Sequence, residues 1–256
     1  MRSLASISFL ILVVPACATT STVGDELAGE SASDDAVASD GKADAAVDGA
    51  YTYFAVTTAD ADGGFALARL NRSTTICYDG RAKAACYTQE LDWSEASLST
   101  AQQQKLFDAA DKAGGQDGVY GIVRGRFAKA QQSSSLPSWG RFVVTEAWVA
   151  EGSMPSDGVF ARVMDNGIRC IAAPCPTLTE KGLNESRSAN IAGVDFSASG
   201  LTDREVQGFF DSFATDAGGA IIVGDRYTVR ENGRTAKGRT AVNAYHRLAD
   251  ATTPAP

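Results

Sequence analysis

Histidine is nearly absent: His246 is the only one in 256 residues. That excludes a metal site built on two histidines, and any nucleophile–base pair would have to lean on "NAYHRL" at 243–248. Period-two alternation sets His246 on the face of Val242 and Ala244, with Asn243, Tyr245 and Arg247 opposite, the setting of a core or interface histidine. Nucleophile elbow, phosphate loop and metalloprotease helix motif are all missing. No catalytic residue, metal or cofactor is therefore expected. Positive charge is scarce too, with 23 Lys and Arg against 31 Asp and Glu. Basic residues interleaved with aromatics are lacking, which excludes a nucleic-acid partner.

What is present first is an export signal. "MRSLASISFLILVVPAC", residues 1–17, places one Arg before an apolar run at 7–14 that is too short to span a bilayer. The run ends in "VPAC", which resembles the lipobox of bacterial lipoproteins. Cleavage there would leave Cys17 carrying acyl chains, giving a membrane partner through a lipid anchor. An ordinary cleaved signal ending near "ACA" is the alternative. Residues 18–49 follow with eight acids, one Lys and no aromatic side chain, and should form a disordered tether. The whole chain carries −8; Arg2 contributes +1 and the tether −7, leaving only −2 for residues 50–256. The acidity belongs to a solvated spacer and not to a binding surface.

Four cysteines remain: Cys77, Cys86, Cys170 and Cys175. An even number in an exported chain favours disulfides. Pairing of neighbours, 77 with 86 and 170 with 175, is the simplest of three connectivities, each bridge contributing ~2–3 kcal/mol. A four-sulfur zinc site is the competing use of the same residues. The second pair lies in "GIRCIAAPCP" at 167–176, with prolines at 174 and 176. A loop closed in that way could offer Ile171, Ala172, Ala173 and Pro174 to a partner, as protease inhibitors do, at small entropic cost.

The chain also resembles itself. Residues 91–127 can be laid over 194–227: Asp92-Trp93-Ser94 on Asp195-Phe196-Ser197, Leu98 on Leu201, Phe107-Asp108 on Phe210-Asp211, and Gly114-Gly115 on Gly218-Gly219. Strand-like runs precede each block, "YTYFAV" and "FALARL" in one, "RFVVTEAWVA" and "VFARVM" in the other. Each block then reads as one helix, opened by a capping box at Ser99 with Gln102 or Thr202 with Glu205, and closed by the paired glycines. A long strand follows, "VYGIVRGRF" or "AIIVGDRYTV". The expected fold is α+β: a β-rich tandem duplication, repeats at 50–137 and 138–250, each a small antiparallel sheet with one helix, packed about a pseudo-twofold, with a tail at 251–256.

These residues resemble an uncharacterised domain family of exported, often lipid-anchored bacterial proteins. The likeness is carried by "GGFALARLNRSTTICYDGRAKAACYTQELDWS", "GRFVVTEAW" and "DNGIRCIAAPCPTL" with "GLN" following, and it covers most of residues 50–250. The resemblance implies a further cysteine pair before the first double glycine, where this chain has "TTADADGG". A loop that can lose its cysteines is structural. The family implies no activity.

Other features read as architecture. Asp60 and Asp62 faintly suggest a calcium loop but lack its closing glutamate, which leaves a polar turn. Asp92 and Asp195 recur at equivalent points, so each should bind nearby backbone amides. Arg226, Arg230, Arg234, Lys237, Arg239 and Arg247 gather in the last strands around an "ENGR" turn, as a solvated face or a patch for anionic polymers. The functional expectation is a non-enzymatic cell-envelope lipoprotein with a structural or ligand-binding role and an unknown envelope or protein ligand. A protease inhibitor acting through 170–175 and an enzyme of unfamiliar type are the alternatives.

Overall fold

The computed structural model describes residues 52–249 apart from 60–62, 116–117, 130–138, 153–155, 157 and 215–217. The expected signal peptide, Cys17, the acidic tether, Asp60, Asp62 and the tail at 251–256 lie outside the described residues. Those described fall in the unit Asp44–Pro256.

The strands are β1 (Thr52–Thr58), β2 (Phe65–Arg69), β3 (Thr75–Ile76), β4 (Ala82–Lys83), β5 (Cys86–Thr88), β6 (Leu91–Asp92), β7 (Gly121–Ala128) and β8 (Arg141–Ala150). They continue with β9 (Val159–Asp165), β10 (Leu178–Gly182), β11 (Ser188–Ile191), β12 (Val194–Asp195), β13 (Ala220–Gly224), β14 (Arg226–Glu231), β15 (Arg234–Thr240) and β16 (Asn243–Leu248). Two helices interrupt them among the described residues, α1 (Thr100–Gly115) and α2 (Asp203–Ala214).

The α+β arrangement of two small sheets, one per repeat and packed about a pseudo-twofold, does not form. One 11-stranded sheet runs β11-β10-β9-β13-β16-β8-β7-β1-β2-β5, with β6 added parallel to β8. Every other pairing in this sheet is antiparallel. The reason lies in β8. It pairs with β7 on one edge and β16 on the other, and it buries Val144 and Ala147 on one face and Trp148 on the opposite face. A strand covered on both faces and saturated along both edges belongs in the middle of a sheet and cannot bound a repeat. Segments 91–127 and 194–227 share the local order of short strand, helix and strand, but β6, β7 and β13 enter this one sheet while β12 lies outside it.

The sheet curls until β1 meets β9. The Asn184 side chain accepts from the Tyr53 amide (2.8 Å) and donates to the Tyr53 carbonyl (2.7 Å), while Asn71 does the same for Phe160 (2.9 and 2.7 Å). Both asparagines adopt positive φ, 55° and 57°, a region Asn tolerates better than most residues. Six strands, β1-β7-β8-β16-β13-β9, are thereby closed around an apolar interior of Ile122, Trp148, Phe160, Ile221, Val223 and Tyr245, with Leu70 and Leu183 packed into the same cluster. Glu146 faces Arg124 at 2.9 Å, Arg247 at 3.6 Å and Arg162 at 3.8 Å.

The helices cover the outer face. Leu106 and Ala110 of α1 pack on Phe54, Val56, Val123 and Val144, and Phe209 and Phe213 of α2 pack on Val163, Ile222 and Ala244. The Thr202 box closes both ways, Glu205 accepting from the Thr202 amide at 2.7 Å and the Thr202 hydroxyl from the Glu205 amide at 3.4 Å. At Ser99 only the Gln102 half forms, accepting from the Ser99 amide at 2.8 Å, and the Gln102 amide turns to the Ser99 carbonyl. Gly114 and Gly115 lie inside α1 without positive φ, unlike Gly218 and Gly219.

"AIIVGDRYTV" is not one strand. The chain breaks at Gly224, where φ is 146° and a Cβ would stand 2.0 Å from the Thr240 carbonyl oxygen, a contact only glycine permits. Beyond it, β14 and β15 form a hairpin through Asn232 and Gly233, both at positive φ, as the "ENGR" turn requires. They join β12 in a separate three-stranded sheet.

Candidate functional site

The loop between β9 and β10 is braced at its root. Asp165 accepts from both terminal nitrogens of Arg169 at 3.0 and 2.8 Å and from the Gly167 amide at 2.6 Å. Arg169 and that amide hold the Asp165 carboxyl below its usual range. Asn166 accepts from the Ile168 amide at 2.8 Å and donates to the Pro176 carbonyl at 2.9 Å, tying the two arms together. Cys170 and Cys175 are bonded, their Cα atoms 5.6 Å apart, and the Ala173–Pro174 peptide is cis.

At the tip Ile171 keeps 109% of its reference surface, so it touches no other part of the fold. Ala172 is exposed beside it, while Ala173, Pro174 and Cys175 are half-buried. Ile168, 37% exposed, adds a second apolar side chain. A stapled loop that holds an isoleucine out in water offers an anchor whose ordering has been completed before contact.

Cys77 and Cys86 form the other disulfide, across a Cα–Cα distance of 5.2 Å. Each pair is closed on itself, so none of the four sulfurs remains a thiolate for a shared zinc site. The bridge closes the β3–β4 hairpin, whose turn is set by the Gly80 amide donating to the Cys77 carbonyl and the Arg81 amide to Asp79.

Asp92 and Asp195 each accept from the amide two residues on, Ser94 and Ser197, at 2.9 Å. Burial pushes the Asp92 carboxyl up, but the Ser94 hydrogen bonds and the charges of Arg141 and Arg126 more than offset it, leaving the group low. The Ser197 amide lowers Asp195 in the same way. Both act as ionised backbone acceptors in separate turns.

The basic face of the last strands is not wholly solvated. Arg239 is 3% exposed, and with Arg226 it grips Glu180 of β10, which is 0% exposed. Sequence reasoning also missed a cleft lined by Cys77, Tyr78, Asp79, Lys83, Tyr87 and Trp139. The signal was there in two Cys-Tyr pairs, at 77–78 and 86–87, either side of a glycine turn.

Fold and loop together define a class: an extracytoplasmic β-sheet protein, curled on itself, clipped by two disulfides that indicate an oxidising compartment. None of its described helices is long and apolar enough to cross a membrane. Residues 58–250 match the family described as a domain of unknown function (DUF6748), and the chain belongs to that family. No curated protein and no solved structure matches it.

Proposed function

We propose that this chain is a non-enzymatic binding module of the cell envelope, lipid-anchored at Cys17, held off the membrane by the acidic segment 18–49, and contacting a partner protein through loop 168–176. The supporting observation is the complete exposure of Ile171 at the tip of a loop closed by a disulfide and braced by Asp165 and Asn166. Left in water, that side chain forgoes the ~2 kcal/mol that burying an isoleucine contributes. A partner's pocket would recover it. Protease inhibition is the second reading of the same loop, because a rigid exposed tip is what an inhibitor inserts into an enzyme.

The test has two arms. Intact mass of the full chain recovered from membranes reports acyl chains on Cys17; a mass without them removes the anchor. A photo-crosslinker at position 171 should capture one protein, saturably, and Ile171→Asp on a soluble competitor should weaken competition by about tenfold or more. If the captured protein is a protease that the chain inhibits, the inhibitor reading stands. Equal competition by the Ile171→Asp chain sinks the loop as the contact.

A further inference from the structure

The cleft beside the Cys77–Cys86 disulfide is independent of that loop. Its walls come from three segments: Tyr78 and Asp79 from the β3–β4 turn with Lys83 of β4, Tyr87 of edge strand β5, and Trp139 just before β8. The rings of Tyr87 and Trp139 meet at 5.5 Å between centroids and 39° between planes, forming one bent platform. Tyr78 lies against the backbone at Gly140, where φ is 69° and a Cβ would stand 2.8 Å from the ring, so only glycine lets this tyrosine take its place. Tyr87 alternates outward between buried Cys86 and Thr88.

Packing alone does not account for these rings. Tyr87 is 46% exposed and Tyr78 39%, so much of their apolar surface stays in water. We infer that this cleft is a carbohydrate-binding site that seats one pyranose ring of a glycan. One face of such a ring is lined by C–H bonds made slightly positive by neighbouring oxygens, which suits the negative face of an aromatic platform. The rim of a sugar carries hydroxyls that donate and accept. Asp79 can accept from them, Lys83 can donate, and the two tyrosine hydroxyls do either.

Size and charge set the occupant. At about 160 Å³ the cleft falls below the ~300–1,000 Å³ of sites that enclose a drug-sized ligand. It holds one ring and leaves the rest of a polymer outside. Asp79 is paired with Arg81 at 3.8 Å, so together with Lys83 the rim is weakly positive, which disfavours a cationic ligand. Tyr87 and Trp139 touch each other and so leave no slot for a quaternary ammonium, which Lys83 would also repel. A proline-rich peptide needs an extended aromatic groove rather than a single short cleft. Cys77 lines the cleft and its bond to Cys86 ties the segment bearing Tyr78 and Asp79 to the strand bearing Tyr87 before binding, which lowers the cost of ordering.

Full-length chain in a non-glycosidic detergent is incubated with purified peptidoglycan sacculi, lipopolysaccharide, starch and cellulose, and separately with a proline-rich peptide. Saturable binding to at least one glycan is expected, with quenching or a blue shift of tryptophan emission. The first two polymers identify a glycan of the cell's own envelope, the last two an external one. Tyr87→Ala should weaken binding about tenfold or more, and Tyr87→Phe, which keeps the ring, should restore most of it. Trp139→Ala is read only if it retains both disulfides by non-reducing mass. Ile171→Asp should bind glycan as the wild type does, which separates this cleft from the loop. No binding to any of the four polymers, binding indifferent to Tyr87→Ala, or binding to the peptide alone overturns the inference.

Discussion

His246 stacks face to face on Phe209, with centroids 3.8 Å apart and planes at 6°. Burial disfavours the imidazolium and lowers its pKa from the ordinary 6.5, against a smaller upward pull from Glu151. The unfolded chain therefore binds more protons than the folded one between that ordinary value and the lowered one. Stability is complete above the ordinary value and is lost as pH falls through this window. Denaturation midpoints taken from pH ~8 down to ~5.5 should decline in the wild type, and His246→Gln should flatten the curve. Equal slopes in both chains would mean the stack carries no proton linkage. Much of this site was legible: alternation placed His246 with Ala244, and both lie on the α2 side of the sheet. Val242 was misassigned, because the chain bends before β16 begins and that residue packs into the interior cluster instead. Periodicity holds only while a strand continues.

Between elements, the informative contact is the grip on Glu180. This carboxylate is fully buried on β10, while the arginines that hold it come from β14 and β15, where Arg226 and Arg239 sit directly opposite each other. Arg239 approaches at 2.5 Å and also donates to the Val159 carbonyl at 3.1 Å. The triad thus fastens the small sheet to the large one. Glu180→Gln keeps the shape but leaves two facing guanidinium groups without a counter-charge. Because the Arg239 side chain is only 4% exposed, the expected loss is about 3–5 kcal/mol by urea denaturation. Arg226 is 39% exposed, and solvent screening discounts its share. Glu180→Met with Arg239→Met should recover much of the loss, since no buried charge is then left alone. A Glu180→Gln midpoint within error of wild type would show that the triad is idle. The sequence contained signals for the local devices here, such as the capping boxes and the "ENGR" turn. It held none for which arginine finds a buried glutamate 59 positions away, because that pairing exists only once the strand breaks at Gly224.

At the scale of the whole molecule, the question is what closes an 11-stranded sheet that would otherwise lie open. Twist brings β1 towards β9, but the two do not pair by their own backbones. Asn71 and Asn184 stand in for the missing ladder, each offering an acceptor and a donor to one residue of the opposite strand, and each reaching a further carbonyl, Leu183 at 2.9 Å or Leu70 at 3.0 Å. The carbonyls of Tyr53 and Phe160 also accept from the Leu70 and Leu183 amides, at 3.1 and 3.0 Å, but their own amides would otherwise point into the seam without partners. "RLN" and "GLN" are visible in the chain at 69–71 and 182–184, yet nothing in one sequence shows that each tripeptide fastens the other's hairpin. Closure couples residues 89 or more positions apart, which is why it escaped a reading built on local periods and matched segments. Asn184→Ala should cost about 1–3 kcal/mol for the orphaned backbone groups, with a further penalty for placing alanine at positive φ. Asn184→Gly removes the same hydrogen bonds without the strain, so it isolates the clasp from the backbone. The doubly substituted Asn71→Gly, Asn184→Gly chain should lose more than the two single losses together, because either clasp alone still holds the seam and the second is lost with nothing behind it. Hydrogen exchange at the Tyr53 and Phe160 amides reports the opening directly. If the double loss is merely additive and those amides stay protected, the ring is held by its apolar interior and the asparagines only decorate it.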